Sequence, residues 1–405
     1  MRLKSGNLFW PRTARAVPGE APPRGHLRCD VLVIGAGISG AMAAYHLARA
    51  GARVIVVDRR PQTSGSTPAS TALVLYELDT PLVRLAERFG LERAQRAYAE
   101  CHGAVARMTT LVRTLRRECE LYARPSLYLA RRERDESWLR DEAAARRAVG
   151  IAASFLTGSA LRRRFGLERP CAILSRRALE VNPMKLTRAL LERALDLGAR
   201  LFRGTEIGMD GVARRRGPLT VRNRRATITA DWAVIATGYE APEQFADIAR
   251  LCELRSTYVI ATNRLKRAPW PRRALLWEAT ERYAYARTTR DGRVLFGGGD
   301  IAGANAARRD RLLAAKSRAL MKSLRTLAPH LRARVEHRWA GTFAQTPSGL
   351  PFIGRHPRWR RAIFSLGYAG NGFTFALIAG ELIRDIVGGA RPELERLFGF
   401  TRLAG

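Results

Sequence analysis

Residues 29–58 constrain what this chain can fold into more than any other stretch. Cys29-Asp30-Val31-Leu32-Val33-Ile34 is nearly continuous in apolar side chains after Asp30. Such a run suits a central strand of a parallel sheet, buried on both faces. It enters Gly35-Ala36-Gly37-Ile38-Ser39-Gly40, then Ala41–Ala50, a helical stretch that stops at Gly51. A second apolar run, Val54–Val57, ends on Asp58. Each residue has a mechanical reason to be there. Gly35 permits the tight turn out of the strand, Gly37 lets backbone approach a pyrophosphate, and Gly40 lets the helix pack closely on the sheet. The helix N-terminus, through Ile38 and Ser39, presents amides and a positive dipole end to phosphate. Asp58 sits where a carboxylate can hydrogen-bond an adenosine ribose, with Arg59 beside it. Strand, glycines, helix, strand and acid in this order make the context of a dinucleotide-binding βαβ unit. The unit does not separate a flavin from a nicotinamide dinucleotide. Asp58 speaks against a 2′-phosphate, but Arg59 and Arg60 keep one open.

Downstream, Gln62–Thr71 is small and hydroxyl-rich, and Ser64, Ser66, Thr67, Ser70 and Thr71 could donate to a pyrophosphate or a ring. Residues 81–118 and 133–149 read as helices, Leu127–Leu129 as a strand, and Val181-Asn182-Pro183 as the cap of a helix over Met184–Leu197. Thr227–Thr229 and Trp232–Ala236 read as strands. The second ends on Thr237-Gly238, a turn where a parallel strand would meet a cofactor. From Tyr258 to about Gly299 short β-prone runs alternate with turn signals, among them Asp291-Gly292, a hairpin signal. Tyr283 and Tyr285 alternate onto one face of a strand with Arg287 two residues on. This segment predicts an antiparallel sheet facing a substrate, and residues 307–327 return to helix.

Composition enters on three questions. The formal net charge is +35, and all but five of the 71 basic residues are arginine. The arginines spread along the chain, with short runs such as Arg214–Arg216, instead of forming the patch or tail of a nucleic-acid binder. A coding bias toward arginine explains them, and no specific nucleic-acid partner is expected. The five cysteines and six histidines are dispersed, with no CxxC pair, which points to a reducing, cytoplasmic setting and no metal site. The N-terminal residues, with Arg2, Lys4, Arg12, Arg15 and scattered prolines, hold no apolar run of signal-peptide length. Ala362–Gly380 carries no charge and is long enough to span a membrane. Gly367-Tyr368-Ala369-Gly370-Asn371-Gly372 breaks it, so it reads as strand, glycine loop and helix rather than a transmembrane segment.

The strand at Ile363–Leu366, the loop Gly367–Thr374 and the helix Phe375–Val387 form a second glycine loop feeding a helix N-terminus. Gly370, Asn371, Gly372, Phe373 and Thr374 stand where backbone amides could cover the pyrimidine edge of a flavin. With that loop the chain resembles the DAO-type flavoproteins, which include D-amino-acid, glycine, sarcosine and γ-glutamylputrescine oxidases. The matching blocks run in the family's order from about residue 29 to 388. They are Gly35–Gly40 with Asp58, Ser64–Thr71, Val181-Asn182-Pro183, Ala236-Thr237-Gly238, Asp291-Gly292-Arg293 with Gly297-Gly298, Gly349-Leu350-Pro351-Phe352-Ile353-Gly354, and Gly367–Thr374.

The resemblance implies an α/β fold: a Rossmann-like FAD-binding domain on a parallel sheet, interleaved with an α+β substrate domain on an antiparallel sheet. The expected division is an N-terminal extension (1–28), an FAD-binding domain (29–120, 175–250 and 335–405) and a substrate-binding domain (121–174 and 251–334). It implies FAD, with Gly341 of the 339–354 block added to the cofactor-binding residues above. No cysteine or histidine falls where covalent members attach FAD, so the cofactor is expected to be non-covalent. The implied reaction oxidises a C–N bond of an amine or amino acid, with oxygen or an electron carrier as the final acceptor. Two departures narrow the substrate. Where glycine-oxidase-like members place arginines to clamp a carboxylate, this chain has Phe343 and Gly370. An amine or N-substituted substrate fits that better than a simple α-amino acid. Tyr283, Tyr285, Arg287 and Phe343 are the candidates for the substrate wall; Glu77 and Asp79 could meet a cationic amine or simply be solvated. Two alternatives stand beside this reading. One is a DAO-like flavoprotein acting on a modified tRNA base, as in the wobble-uridine modification enzyme, although the methyltransferase domain found there has no counterpart in this sequence. The other is a flavin- or nucleotide-binding protein without catalysis.

Overall fold

The structure is a computed structural model that describes all residues except 61–63, 209–216, 241–244, 246–247, 249–250, 281–282 and 404–405. Gln62, Thr63 and the Arg214–Arg216 run therefore lie outside the described residues. Two sheets carry the architecture. In the seven-stranded sheet the order is Phe352–Arg355, Ala362–Leu366, Ala226–Ile235, Gly25–Ile34, Val54–Asp58 and Arg200–Arg203, with Leu219–Arg222 on a flank of Ala226–Ile235. Pairing is parallel from Ala362–Leu366 to Arg200–Arg203, and antiparallel at Phe352–Arg355 and Leu219–Arg222.

The apolar run that opens the βαβ unit is central, as its composition predicts. Val31, Val33, Val54 and Val56 join the core on one face, while Leu32, Ile34, Ile55 and Val57 join the core on the other. A strand buried on both faces cannot alternate apolar with polar, and this one does not. On the first face the helix Ile38–Arg49 packs between helices Pro183–Asp196 and Gly372–Val387. Contact with the latter is close: a Cβ on Gly380 would lie 2.8 Å from Met42 Cγ and His46 Cδ2.

The ten-stranded sheet runs Lys4–Gly6, Val335–Gln345, Glu253–Thr262, Val294–Ala302, Ala284–Thr288, Leu275–Glu278, Tyr122–Leu129, Cys171–Glu180 and Leu73–Val74, with Ala153–Thr157 paired to Cys171–Glu180. It is antiparallel except where Leu275–Glu278 meets Tyr122–Leu129. The Asp291-Gly292 turn links two of its antiparallel strands, and Gly292 supplies the positive φ (83°) the turn needs. The helix Ala306–Leu327 packs on this sheet.

Several local readings change. Thr227–Thr229 and Trp232–Ala236 are one strand, Ala226–Ile235, because Ala230 pairs with Cys29 and Trp232 with Val31, which carries the ladder with Gly25–Ile34 across the expected gap. The 81–118 helix is two, Leu82–Phe89 and Leu91–Leu115, divided at Gly90 with φ 84°. The helix expected from Phe375 begins at Gly372, with Asn371 as its N-cap. The uncharged stretch 362–380 is a strand, a loop and a helix start, and no helix among the described residues is long and apolar enough to cross a membrane.

Candidate active site

The glycines of the first turn are fixed by contact. A Cβ on Gly35, whose φ is 111°, would lie 2.3 Å from the Ala236 carbonyl oxygen, and one on Gly40 would lie 1.8 Å from that of Gly35. Only glycine lets strand, turn and helix close to this distance. Gly37 is the N-cap of the Ile38–Arg49 helix and brings no capping side chain, so the helix end is open to a ligand. Thr67 Oγ1 holds the first amide, accepting from Ile38 N at 3.2 Å. At the end of its strand Asp58 accepts from Ala36 N through Oδ2 and from Arg60 N through Oδ1, both at 2.8 Å. It thereby ties the glycine turn to the strand end. Burial raises its carboxyl pKa, against the pull of those two amides.

These residues line the first half of a cleft, a space of about 880 Å³ that is open to solvent. Gly35, Gly37, Ile38, Ser39, Asp58, Arg59, Ser66, Thr67, Thr237 and Gly238 all contribute to it. Thr237 Oγ1 is buried there without a hydrogen-bond partner, so this wall is built for a polar ligand that the chain does not supply. An open helix N-terminus, a glycine cradle and an orphaned hydroxyl together fit the pyrophosphate of a dinucleotide. The sequence offers no signal for Leu3, Glu206 or Ile207, which also line this half. Glu240 lines it too and pairs with both Arg59 and Arg60.

Ser66 is shared with the second half, a space of about 830 Å³. Ser70, Thr71, Tyr283, Tyr285, Gly341, Phe343, Gly370 and Asn371 line it, as do Glu77, Asp79 and Trp277. Glycines again make the room. Gly297 faces Tyr285 across paired strands, and a Cβ there would be inside the tyrosine ring's contact radius, 2.4 Å from Cζ. Tyr285 OH and Thr257 Oγ1 are 3.1 Å apart, and the Tyr283 and Tyr285 rings stand 5.9 Å apart. Below this wall Asn371 Nδ2 donates to the Glu77 carbonyl at 2.7 Å and Thr374 Oγ1 to the Leu75 carbonyl at 2.7 Å. Those two bonds dock the second glycine loop on residues 75–77.

Some expected residues sit elsewhere. Arg287, expected on the substrate wall, lies behind it: its Nη1 donates to the carbonyls of Ala72 and Val181 at 2.9 and 2.8 Å, and its Nε to that of Thr288 at 3.0 Å. Strand alternation puts it on the tyrosines' face, but two residues further on that face meets the 71–72 backbone instead of the cleft. Gly40, Phe373 and Thr374 serve packing and docking and do not line either half. Ser64 lines a separate groove with Lys4, Arg12, Arg15 and Arg188. Gly372 starts the helix after the loop and is likewise off the cleft wall.

Electrostatically the second half is acidic. Among the described residues its lining includes Glu77 and Asp79 and neither lysine nor arginine. Asp79 Oδ2 accepts the Gly370 amide at 3.0 Å. Burial pushes its carboxyl up to about 6, the Gly370 amide opposes this, and the charge of Asp300 adds to it. Burial likewise raises Asp300 and Glu77.

Residues 30–386 match the family model for DAO, described as FAD dependent oxidoreductase. The chain is 24% identical over 386 residues to the γ-glutamylputrescine oxidoreductase of Escherichia coli strain K12, covering 93% of this chain and 87% of that one. It is 25% identical over 384 residues to the glycine oxidase of Bacillus licheniformis, covering 92% and 96%. Among solved structures, the glycine oxidase from Geobacillus kaustophilus superposes with a TM-score of 0.77 at 23% identity, over 93% of this chain and 99% of that one. L-α-glycerophosphate oxidase from Mycoplasma pneumoniae, with FAD bound, superposes with a TM-score of 0.72 at 14% identity, over 89% and 95%.

Proposed function

The chain belongs to the DAO family of FAD-dependent oxidoreductases, and from that premise we propose that it oxidises the C–N bond of an amine. One observation carries the choice of amine over amino acid: among the described residues, the second half of the cleft is lined by two carboxylates and five aromatic side chains, with no cationic residue. A substrate carboxylate would meet repulsion there, whereas a protonated amine would be drawn in.

Bound FAD would supply the two-electron acceptor for oxidation of the carbon–nitrogen bond, and water would hydrolyse the resulting imine to a carbonyl compound and ammonia or a smaller amine. The chain's own residues bind and orient. Gly35, Gly37 and the helix end at Ile38–Ser39 would hold the pyrophosphate, with Thr237 as a further donor. Asp58 fixes the turn. Ser66, Gly341, Phe343 and the Gly370–Asn371 loop would frame the flavin end, and Trp277, Tyr283 and Tyr285 would exclude water from the reacting carbon. Neither half is lined by cysteine or histidine, which supports a non-covalent cofactor. Oxygen or an electron carrier would be the final acceptor.

The test is anaerobic mixing of the purified flavoprotein with a panel of amines and amino acids. Bleaching of the flavin bands by amines supports the proposal. Bleaching by α-amino acids alone contradicts it.

A further inference from the structure

Resting on that reading, we propose that the substrate carries a second ammonium group, away from the nitrogen that is oxidised, and that Asp79, beside Glu77 in the cleft wall, receives it. The argument starts from charge. An amine can give up hydride only when its own nitrogen is unprotonated, because the lone pair must close the C=N bond. The reacting nitrogen is then neutral and cannot balance the carboxylates of the cleft.

Those carboxylates are in excess. Behind the wall Arg146 Nε donates to Glu142 at 2.8 Å, and Glu142 also takes the Leu82 and Val83 amides at 3.0 Å. Glu77 lies 3.7 Å from the same guanidinium and accepts from Ser126 Oγ at 2.5 Å. One guanidinium thus serves two carboxylates. Glu77 is 1% exposed and lines the cleft, and its Oε2 has no donor. Asp79 has one amide donor, from Gly370. Asp300 lies outside the cleft lining; burial raises its carboxyl, and Thr257, Arg255 and Lys316 oppose the rise. Its charge adds to the rise at Asp79. Tyr283 and Tyr285 line the cleft with Asp79 and Glu77.

A separate observation points to a ligand at this wall. Trp277 is 6% exposed, lines the same cleft, and its indole N–H has no acceptor in the chain. The indole N–H calls for an acceptor on the cofactor or elsewhere on the substrate, since an ammonium offers none; the unmet Glu77 Oε2 in the same wall calls for a donor, which an ammonium supplies. Faces of Trp277, Tyr283 and Tyr285 beside carboxylates make an environment suited to an alkylammonium.

The probes are a diamine and a monoamine that cannot react. One is putrescine with two methyl groups on each amine-bearing carbon, which leaves no hydrogen to give; the other is the same molecule with one amino group replaced by methyl. Calorimetric titration of the FAD-loaded protein reads their binding, and anaerobic bleaching by putrescine and by pentylamine reads the reaction. The dication is expected to bind at least about tenfold tighter than the monocation. In Asp79→Asn that ratio is expected to fall to within about twofold, with the flavin spectrum retained. If Asp79→Asn fails to hold FAD, Glu77→Gln carries the same comparison. Equal binding of both probes to the unmodified protein, or a ratio that survives the substitution, overturns this inference. Bleaching by amines without diamine preference overturns it while leaving the proposed function intact; bleaching by no amine overturns both.

Discussion

Asp79 and Gly370 are locked together: the Gly370 amide donates to Asp79 Oδ2 at 3.0 Å, and a Cβ on Gly370 would lie 2.5 Å from Oδ1. The second glycine loop therefore positions a carboxylate. Gly370→Ala is expected to push Asp79 out of place and lower the rate of amine-driven bleaching per bound flavin at least about tenfold. Stopped-flow reduction and the flavin-to-protein ratio check this.

The first turn makes a sharper demand. Gly40→Ala would put a methyl 1.8 Å from the Gly35 oxygen, a backbone atom that cannot swing aside. A loss of about 1–3 kcal/mol in stability, together with weakened FAD binding, is expected. Gly208→Ala, whose Cβ would make only an ordinary 3.6 Å contact, should change stability by less than about 0.5 kcal/mol. Thermal unfolding of the three proteins, with FAD released on heating measured by fluorescence, decides it.

Binding of a cation should depend on pH through Asp79. Its carboxyl rises from the usual 3.8 to about 6, from burial first, opposed by the Gly370 amide and reinforced by Asp300. The folded chain thus holds a proton that the unfolded chain has released between these values. This group's contribution to stability is fully present below the lower value and is lost as pH rises toward about 6. A bound cation favours the ionised form, so affinity for the unreactive dication should rise as pH climbs through about 6 and level off above it. Glu77 faces the same space and Asp300 acts on Asp79 by its charge, so both raised carboxyls share in this titration, while burial raises the Tyr283 and Tyr285 hydroxyls so that both stay neutral through it. Calorimetry across this range should show the rise flattened in Asp79→Asn.

Phe343 is buried in the cleft wall among the aromatic residues. Phe343→Arg would place a guanidinium opposite the acidic side. Binding of the dication should weaken at least about tenfold. Bleaching by α-amino acids relative to amines should increase. A panel comparison of substituted and unmodified protein gives both numbers.

The nucleotide half was legible in the sequence because its constraints are local. Gly35, Gly40 and Asp58 act within one βαβ unit, and strand, turn and helix follow one another along the chain. The Thr237-Gly238 turn was legible for the same reason, since it ends a parallel strand. The substrate half draws on distant segments. Trp277, Thr257 and Asp300 reach Asp79 and Gly370 only through the pairing of the ten-stranded sheet, and no spacing along the chain encodes that. Arg287 shows the limit: alternation gives its face, but not that the 71–72 backbone covers it. Leu3 reaches the nucleotide half because Lys4–Gly6 adds a strand beside Val335–Gln345, which a short N-terminal run does not announce.

The most direct test of the central claim is the absorbance spectrum of the purified protein, before and after anaerobic addition of amines. Flavin bands that bleach on adding an amine are the expected result. A protein that stays colourless after FAD is supplied, or flavin bands that no amine bleaches, would contradict it.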